Sequence, residues 1–153
     1  QKVVNFFPGN DGSDASSTNK LLGISDQTVA TFYEASRKLY DERHYEKAAN
    51  CLKLITFLSP FNPTYWLALG MVQHKQHHLQ EAILAYSIAA TSGQDMLETR
   101  SLLVSAYAEI EMYDDAEMVL NSLIELIEKQ GVAAQWKSKI ESLRKQVNFK
   151  TKA

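Results

Sequence analysis

The chain has 153 residues, 45% of them hydrophobic and none in a long apolar run, which is enough for one domain with a real core. Sixteen basic against eighteen acidic side chains give a formal net charge of -2, so there is no electrostatic footprint for nucleic acid or an anionic membrane surface. No stretch approaches the roughly 20 apolar residues of a membrane span, so no direct membrane insertion is expected, and partners should be recognised by shape and apolar contact.

The opening residues QKVVNFFPGNDGSD lack the basic-then-apolar order of a signal peptide. Residues 9–20, GNDGSDASSTNK, are small and polar and cannot bury enough apolar surface to offset their ordering entropy. Residues 1–24 are therefore expected to form a flexible arm. Its cluster Val3, Val4, Phe6, Phe7 and Pro8 is either a disordered terminus or a segment that docks, across a dimer or into the protein's own groove. Leu21, Leu22 and Ile24 make a second apolar patch before the first long helix. Ser25 followed by Asp26 reads as an N-cap with a carboxylate at the positive end of the helix dipole. Phe32, Ala35 and Leu39 continue that helix at helical spacing to a stop near residues 41–44. A second helix runs from Tyr45 through Ala48, Leu52 and Ile55 to Pro60, where proline blocks it, and Asn62-Pro63 restarts the chain.

From Pro63 to Ala90 the residues Trp66, Leu69-Gly70, Ala82, Tyr86 and Ala89 have the separations of a tetratricopeptide repeat. Gly70 and Ala82 are the expected close-approach points between two helices, and Trp66 and Tyr86 fill the space beside them. Ala48, Ala82 and Ala116 recur every 34 residues, the period of this repeat. Tyr45, Leu79 and Tyr113 keep the same register, as do Ala35, Leu69 and Leu103, and Leu39, Gln73 and Tyr107. Three repeats follow, near residues 29–62, 63–96 and 97–130. Gly93 and Asp95, with Glu98 as a capping-box partner, divide the second from the third. Gln73 and Arg100 stand where an aromatic is expected. After Gly131, a C-cap, Val132, Trp136, Ile140, Leu143 and Val147 trace one face of a last helix that covers the third repeat. The expected fold is all-α: three helix-turn-helix repeats in a right-handed array with a C-terminal capping helix, spanning residues 25–148, then a tail at 149–153.

In such an array the first helix of each pair lines the concave side. The groove residues expected from the repeat register are Ala30, Tyr33, Arg37 and Tyr40, then Thr64, Leu67, Met71 and His74, then Glu98, Ser101, Ser105 and Ala108. Aromatic rings, a soft methionine and few charges suit an extended apolar peptide. Tyr33 and Tyr40 either face this groove, as their hydroxyls suggest, or pack within the array.

The runs FYEASRKLYDERHYEKAANCLKLI and NPTYWLALGMVQHKQHHLQEAILAYSIAA resemble the SycD/LcrH-type class II chaperones of bacterial type III secretion. The resemblance covers about residues 25–147. It is carried by Tyr33 and Tyr40, the segment Trp66 to Gly70, and Ala85 to Ser87. It implies a chaperone in the bacterial cytoplasm for hydrophobic translocator proteins, holding a P-x-L-x-x-P-like segment in pockets of the first two repeats. It also implies a homodimer through the region before the first repeat. Carried over by position, the pocket residues are Tyr33, Tyr40, Leu67, Met71 and His74, with Met71 where that family has a smaller residue. Arg37, Ser101 and Ser105 complete the expected groove.

The repeat also serves two other binding classes. A clamp for a C-terminal carboxylate needs Lys and Asn at several inner positions, and those positions offer Arg37, Met71, Ser101 and Ser105. A generic repeat scaffold, including a chaperone for needle subunits, would grip a helical client instead. No phosphate loop, G-x-S-x-G elbow or zinc-hydrolase helix appears, so neither an enzyme nor a cofactor site is expected. His74, His77 and His78 could place two imidazoles on one turn, but a solvated turn is the expected reading and no metal site is assigned. The single Cys51 cannot form an internal disulfide, which fits a reduced compartment. With no basic cluster beside it, it is expected to be a buried or semi-buried thiol.

Overall fold

The computed structural model describes residues 18–91 and 97–148. These contain α1 (Thr18–Leu21), α2 (Asp26–Asp41), α3 (Tyr45–Leu58), α4 (Pro63–Lys75), α5 (Leu79–Ala90), α6 (Leu97–Glu109), α7 (Tyr113–Gln130) and α8 (Ala133–Val147). The apolar arm at residues 3–8, the Gly93 and Asp95 boundary and the tail from 149 lie outside the described residues. The chain divides into two compact units, Gln1–Ser92 and Gly93–Ala153.

The first unit holds two helix hairpins, α2 with α3 and α4 with α5, and α3 packs on α4 to stack one on the other. Ser25 caps α2 by accepting from the Thr28 amide at 3.1 Å, and Asn62 caps α4 by accepting from the Thr64 amide at 3.0 Å. Each satisfies one of the donors a helix start leaves unpaired. The core runs from Val29 and Tyr33 through Ala48, Leu52 and Ile55 to Ala68, Leu69 and Val72. On α2 the buried stripe is Val29, Tyr33, Ser36 and Tyr40, whereas Phe32 and Leu39 are half-buried and Ala35 is exposed. The stripe is turned from the expected one because α2 packs against α3 on one side and also meets α4, where the Tyr33 ring lies 5.0 Å from that of Tyr65.

Residues 18–24, read from the sequence as the end of a flexible arm, form a turn of helix and a loop packed on α2 and α3. Asn19 is fully buried, and its amide donates to the Ile24 carbonyl at 3.1 Å and to the Asp26 carboxylate at 2.8 Å. One amide thus ties α1 to the start of α2, with Lys20 and Asp26 adding an ion pair at 3.8 Å.

Within the second hairpin, a Cβ built on Gly70 would lie 2.5 Å from two carbons of the Tyr86 ring. The same Cβ would lie 3.3 Å from the Ala82 carbonyl oxygen, so the expected close approach of Gly70 and Ala82 is present, with the Tyr86 ring wedged beside it. Trp66 is half-buried, and its indole N–H donates to the Pro60 carbonyl at 2.7 Å, pinning the connection between the hairpins.

The 34-residue period extends to the backbone. Arg43, His77 and Glu111, each 34 apart, take left-handed φ values of 64, 60 and 63. Each is the last residue but one of a Schellman closure. The His44 amide donates to Leu39 at 2.8 Å, that of His78 to Gln73 at 2.9 Å and that of Met112 to Tyr107 at 2.9 Å. An L-residue in this region costs roughly 1–2 kcal/mol, and glycine's greater chain entropy takes back part of the relief. Arg43→Gly, His77→Gly or Glu111→Gly singly is expected to add about 0.5–1 kcal/mol, read as a higher urea midpoint at unchanged slope. A lower midpoint would show that the side chains hold the turn by contacts worth more than the strain.

In the second unit α6 pairs with α7, and α8 packs on both. Leu143 and Val147, with half-buried Val132, Trp136 and Ile140, join Val104, Leu120, Leu123 and Ile127 in one apolar cluster. The covering role read for the last helix is what the structure has. Gly131 ends α7 at φ 70. Arg100, in the position of Trp66, reaches across to donate to the Ser122 hydroxyl on α7, so a hydrogen bond stands in for the missing ring.

Candidate peptide-binding groove

On α2 the residues Ala30, Tyr33, Arg37 and Tyr40 fall on one helical stripe, as do Thr64, Leu67, Met71 and His74 on α4. The Tyr33–Tyr65 contact brings these two helices together within the first unit. The stripes are not uniformly open. Tyr33, Tyr40 and Leu67 keep only 1%, 3% and 4% of their surface, and Ser101 on α6 keeps 1%. Arg37 is exposed, and Met71, His74 and Ser105 are half-buried. The outward orientation expected of the two tyrosines is therefore corrected. Their rings are core, Tyr33 against Tyr65 and Tyr40 against Tyr45 with centroids 5.5 Å apart.

The reason is visible in the repeat register. Positions 33, 67 and 101 are all buried, whether the residue is Tyr, Leu or Ser, so this register position is a core one within each unit. Positions 37, 71 and 105 retain surface in all three repeats. Ser101 and Ser105 belong to the second unit, which leaves Ala30, Arg37, Met71 and His74 as the accessible members in the first. Arg37 is steadied by Glu34 at 3.6 Å, one turn away. His74 is steadied by a 3.1 Å hydrogen bond between its Nδ1 and the Tyr86 hydroxyl. That tie links a groove residue to the ring that fills the hairpin.

Burial also sets the protonation of the phenols. Loss of hydration pushes Tyr40 up to about 12, with the adjacent Tyr45 and Asp41 adding to the rise. Tyr33 is raised further by burial, then by Tyr65 and Glu34, with Arg37 pulling the other way. A phenol whose folded pKa lies above its unfolded value of 10 contributes stability that is whole below pH 10 and is lost as pH rises toward 12. Alkaline titration should therefore show Tyr33 and Tyr40 ionising only as the first unit unfolds. Phenolate absorbance that rises in full near pH 10 while the helix signal stays unchanged would contradict their burial.

Among the described residues no group of three or more His, Cys, Asp or Glu is placed to hold a metal ion. His77 carries the left-handed turn, and His78 pairs with Glu81 at 3.5 Å. Cys51 is half-buried and donates to the Phe32 carbonyl at 3.3 Å, and burial pushes its thiol pKa up, away from the reactive thiolate. No helix of the described residues is long and apolar enough to cross a membrane.

Helix hairpins at a 34-residue period, with glycine, alanine and aromatic at the crossing, define an all-helical tetratricopeptide-repeat protein. Comparison with solved structures places its fold with the type III secretion translocator chaperones. SycD of Yersinia enterocolitica, in complex with a peptide of the translocator YopD, superposes with a TM-score of 0.73 at 19% identity, covering 83% of this chain and 97% of that one. PcrH in complex with the chaperone binding region of PopD gives a TM-score of 0.71 at 18% identity, covering 81% and 96%. The first repeat domain of Spaghetti, bound to an HSP90 peptide, gives 0.64 at 16% identity, covering 77% and 94%. These are chaperones and a peptide-binding repeat domain. No family model and no curated protein matches the chain.

Proposed function

We propose that this protein is a non-enzymatic chaperone of bacterial type III secretion, acting in the cytoplasm on a hydrophobic translocator. It holds an N-terminal P-x-L-x-x-P-like segment of the client extended along α2 and α4. Arg37, Met71 and His74 meet the client, and Tyr33, Tyr40 and Leu67 form the rigid wall behind them. The observation that carries the reading is the pairing of α2 and α4 stripes over a tyrosine core, in a fold whose relatives include complexes with translocator peptides. A membrane-inserting client must have its apolar segments shielded before export, and a preformed apolar surface does this without covalent chemistry. The protein acts as a homodimer through the region before the first repeat, a reading supported by Leu21 at the end of the anchored α1 and Leu22 just after it, which are 86% and 58% exposed.

Affinity purification from a secretion-competent bacterium tests the client. A hydrophobic translocator should co-purify with the wild-type chain and be lost with Met71→Glu, whose helix content stays unchanged. Recovery of a needle subunit, or equal recovery with both chains, would refute the groove. Sedimentation of the same preparation should give a dimer that Leu21→Glu with Leu22→Glu converts to a monomer; a wild-type monomer would remove the dimer reading.

A further inference from the structure

A cleft of about 500 Å³ opens between α3 and the end of α4, lined by Glu46, Ala49, Asn50 and Lys53 on one helix and by Gln73, Gln76 and His78 opposite. Gln73 occupies the repeat position of Leu39 and Tyr107, both of which pack against the apolar clusters of their units. In the second repeat that apolar filler is replaced by an amide. Gln73 is only 6% exposed, and its Oε1 has no hydrogen-bond partner. A buried acceptor without a donor is costly, and native structures seldom retain one without a use. Two deficits therefore coincide at one place, a missing apolar filler and a missing donor.

We propose that this cleft receives a tyrosine side chain of a partner protein, completing the second repeat in trans. The phenol ring takes the space that Tyr107 fills by its own chain in the third repeat. It rests on Ala49 and on the aliphatic stems of Lys53 and Gln76. Its hydroxyl donates to the Gln73 amide oxygen, which a rotation about the last side-chain bond turns toward the opening. Asn50 and Gln76 are placed to bond the main chain on either side of the tyrosine. Phenylalanine would fill the space and leave the acceptor unpaired, so the site selects for the hydroxyl. The proposal goes beyond the groove reading and does not depend on it, since none of Arg37, Met71 or His74 lines the cleft.

NMR titration of the full chain with N-acetyltyrosinamide and N-acetylphenylalaninamide tests it, reading the side-chain amides of Asn50, Gln73 and Gln76 and the Met71 methyl. The tyrosine probe should shift the three amides, leave Met71 unmoved and bind roughly five-fold more tightly than the phenylalanine probe. Gln73→Leu should bring the two affinities together, and Gln73→Tyr, which fills the cleft within the chain, should abolish both. Equal binding of the probes to the wild-type chain, shifts at Met71 alone, or no shift at the cleft amides would overturn it. Failure of the groove would instead appear as loss of the co-purified client, which this titration does not touch.

Discussion

Tyr86→Ala is expected to remove about 3–5 kcal/mol of stability, the usual cost of emptying a buried aromatic site. Tyr86 is fully buried, it wedges against Gly70 at the crossing of α4 and α5, and its hydroxyl holds His74. The loss can be separated from a generic core defect by a double-mutant cycle with Gly70. Gly70→Ala in the wild-type chain gains about 1 kcal/mol of helix propensity, but it places a methyl 2.5 Å from a ring that has no room to retreat. Overpacking of this kind costs about 1–3 kcal/mol or more, so the net effect is destabilising. In the Tyr86→Ala background the ring is gone and the tightest remaining neighbour is the Ala82 carbonyl oxygen at 3.3 Å, which a shift of a few tenths of an ångström relieves, so the same substitution should stabilise. A change of sign between backgrounds is the expected result in chemical denaturation; additive effects would mean that Gly70 and Tyr86 do not share the contact.

Tyr33→Ala combined with Tyr40→Ala is expected to unfold the first unit under conditions where the wild-type chain is native. Each ring is almost fully buried and each contacts a second tyrosine, so each truncation costs about 3–5 kcal/mol, a sum comparable to the whole stability of a small domain. Loss of peptide binding in this variant would report unfolding and say nothing of the groove. Circular dichroism of the double variant decides the point. A melting temperature within a few degrees of the wild type would show that the rings lie on the surface after all.

This second expectation reverses what the sequence suggests, and the reason lies in what a repeat register can carry. The 34-residue recurrence of Ala48, Ala82 and Ala116 locates the three helix pairs from α2 to α7, because small residues are required wherever two helices cross. The close approach at Gly70 follows from the same pattern, and the cover provided by α8 from the apolar face of Val132, Trp136, Ile140, Leu143 and Val147. Register also puts Tyr33, Leu67 and Ser101 in one row, but it does not say whether the row meets solvent or a neighbouring helix. That depends on how closely α2 and α4 approach, which the Tyr33–Tyr65 contact fixes and no local pattern reveals. The left-handed turns at Arg43, His77 and Glu111 were illegible for a different reason, since none is a glycine or asparagine. Asn19 belongs by composition to a polar linker, because a single buried amide leaves no periodic trace. The substitution at Gln73 was visible in the sequence, but the unpaired oxygen and the cleft beside it emerge only once α3 is placed against it.

Isothermal titration with an extended translocator peptide tests the proposed binding along the accessible row of α2 and α4 most directly. The wild-type chain should bind with a negative heat-capacity change, Arg37→Ala should weaken binding several-fold, and Met71→Glu should abolish it at unchanged melting temperature. Binding that survives Met71→Glu and Arg37→Ala together, or a peptide that binds as a helix, would contradict the account.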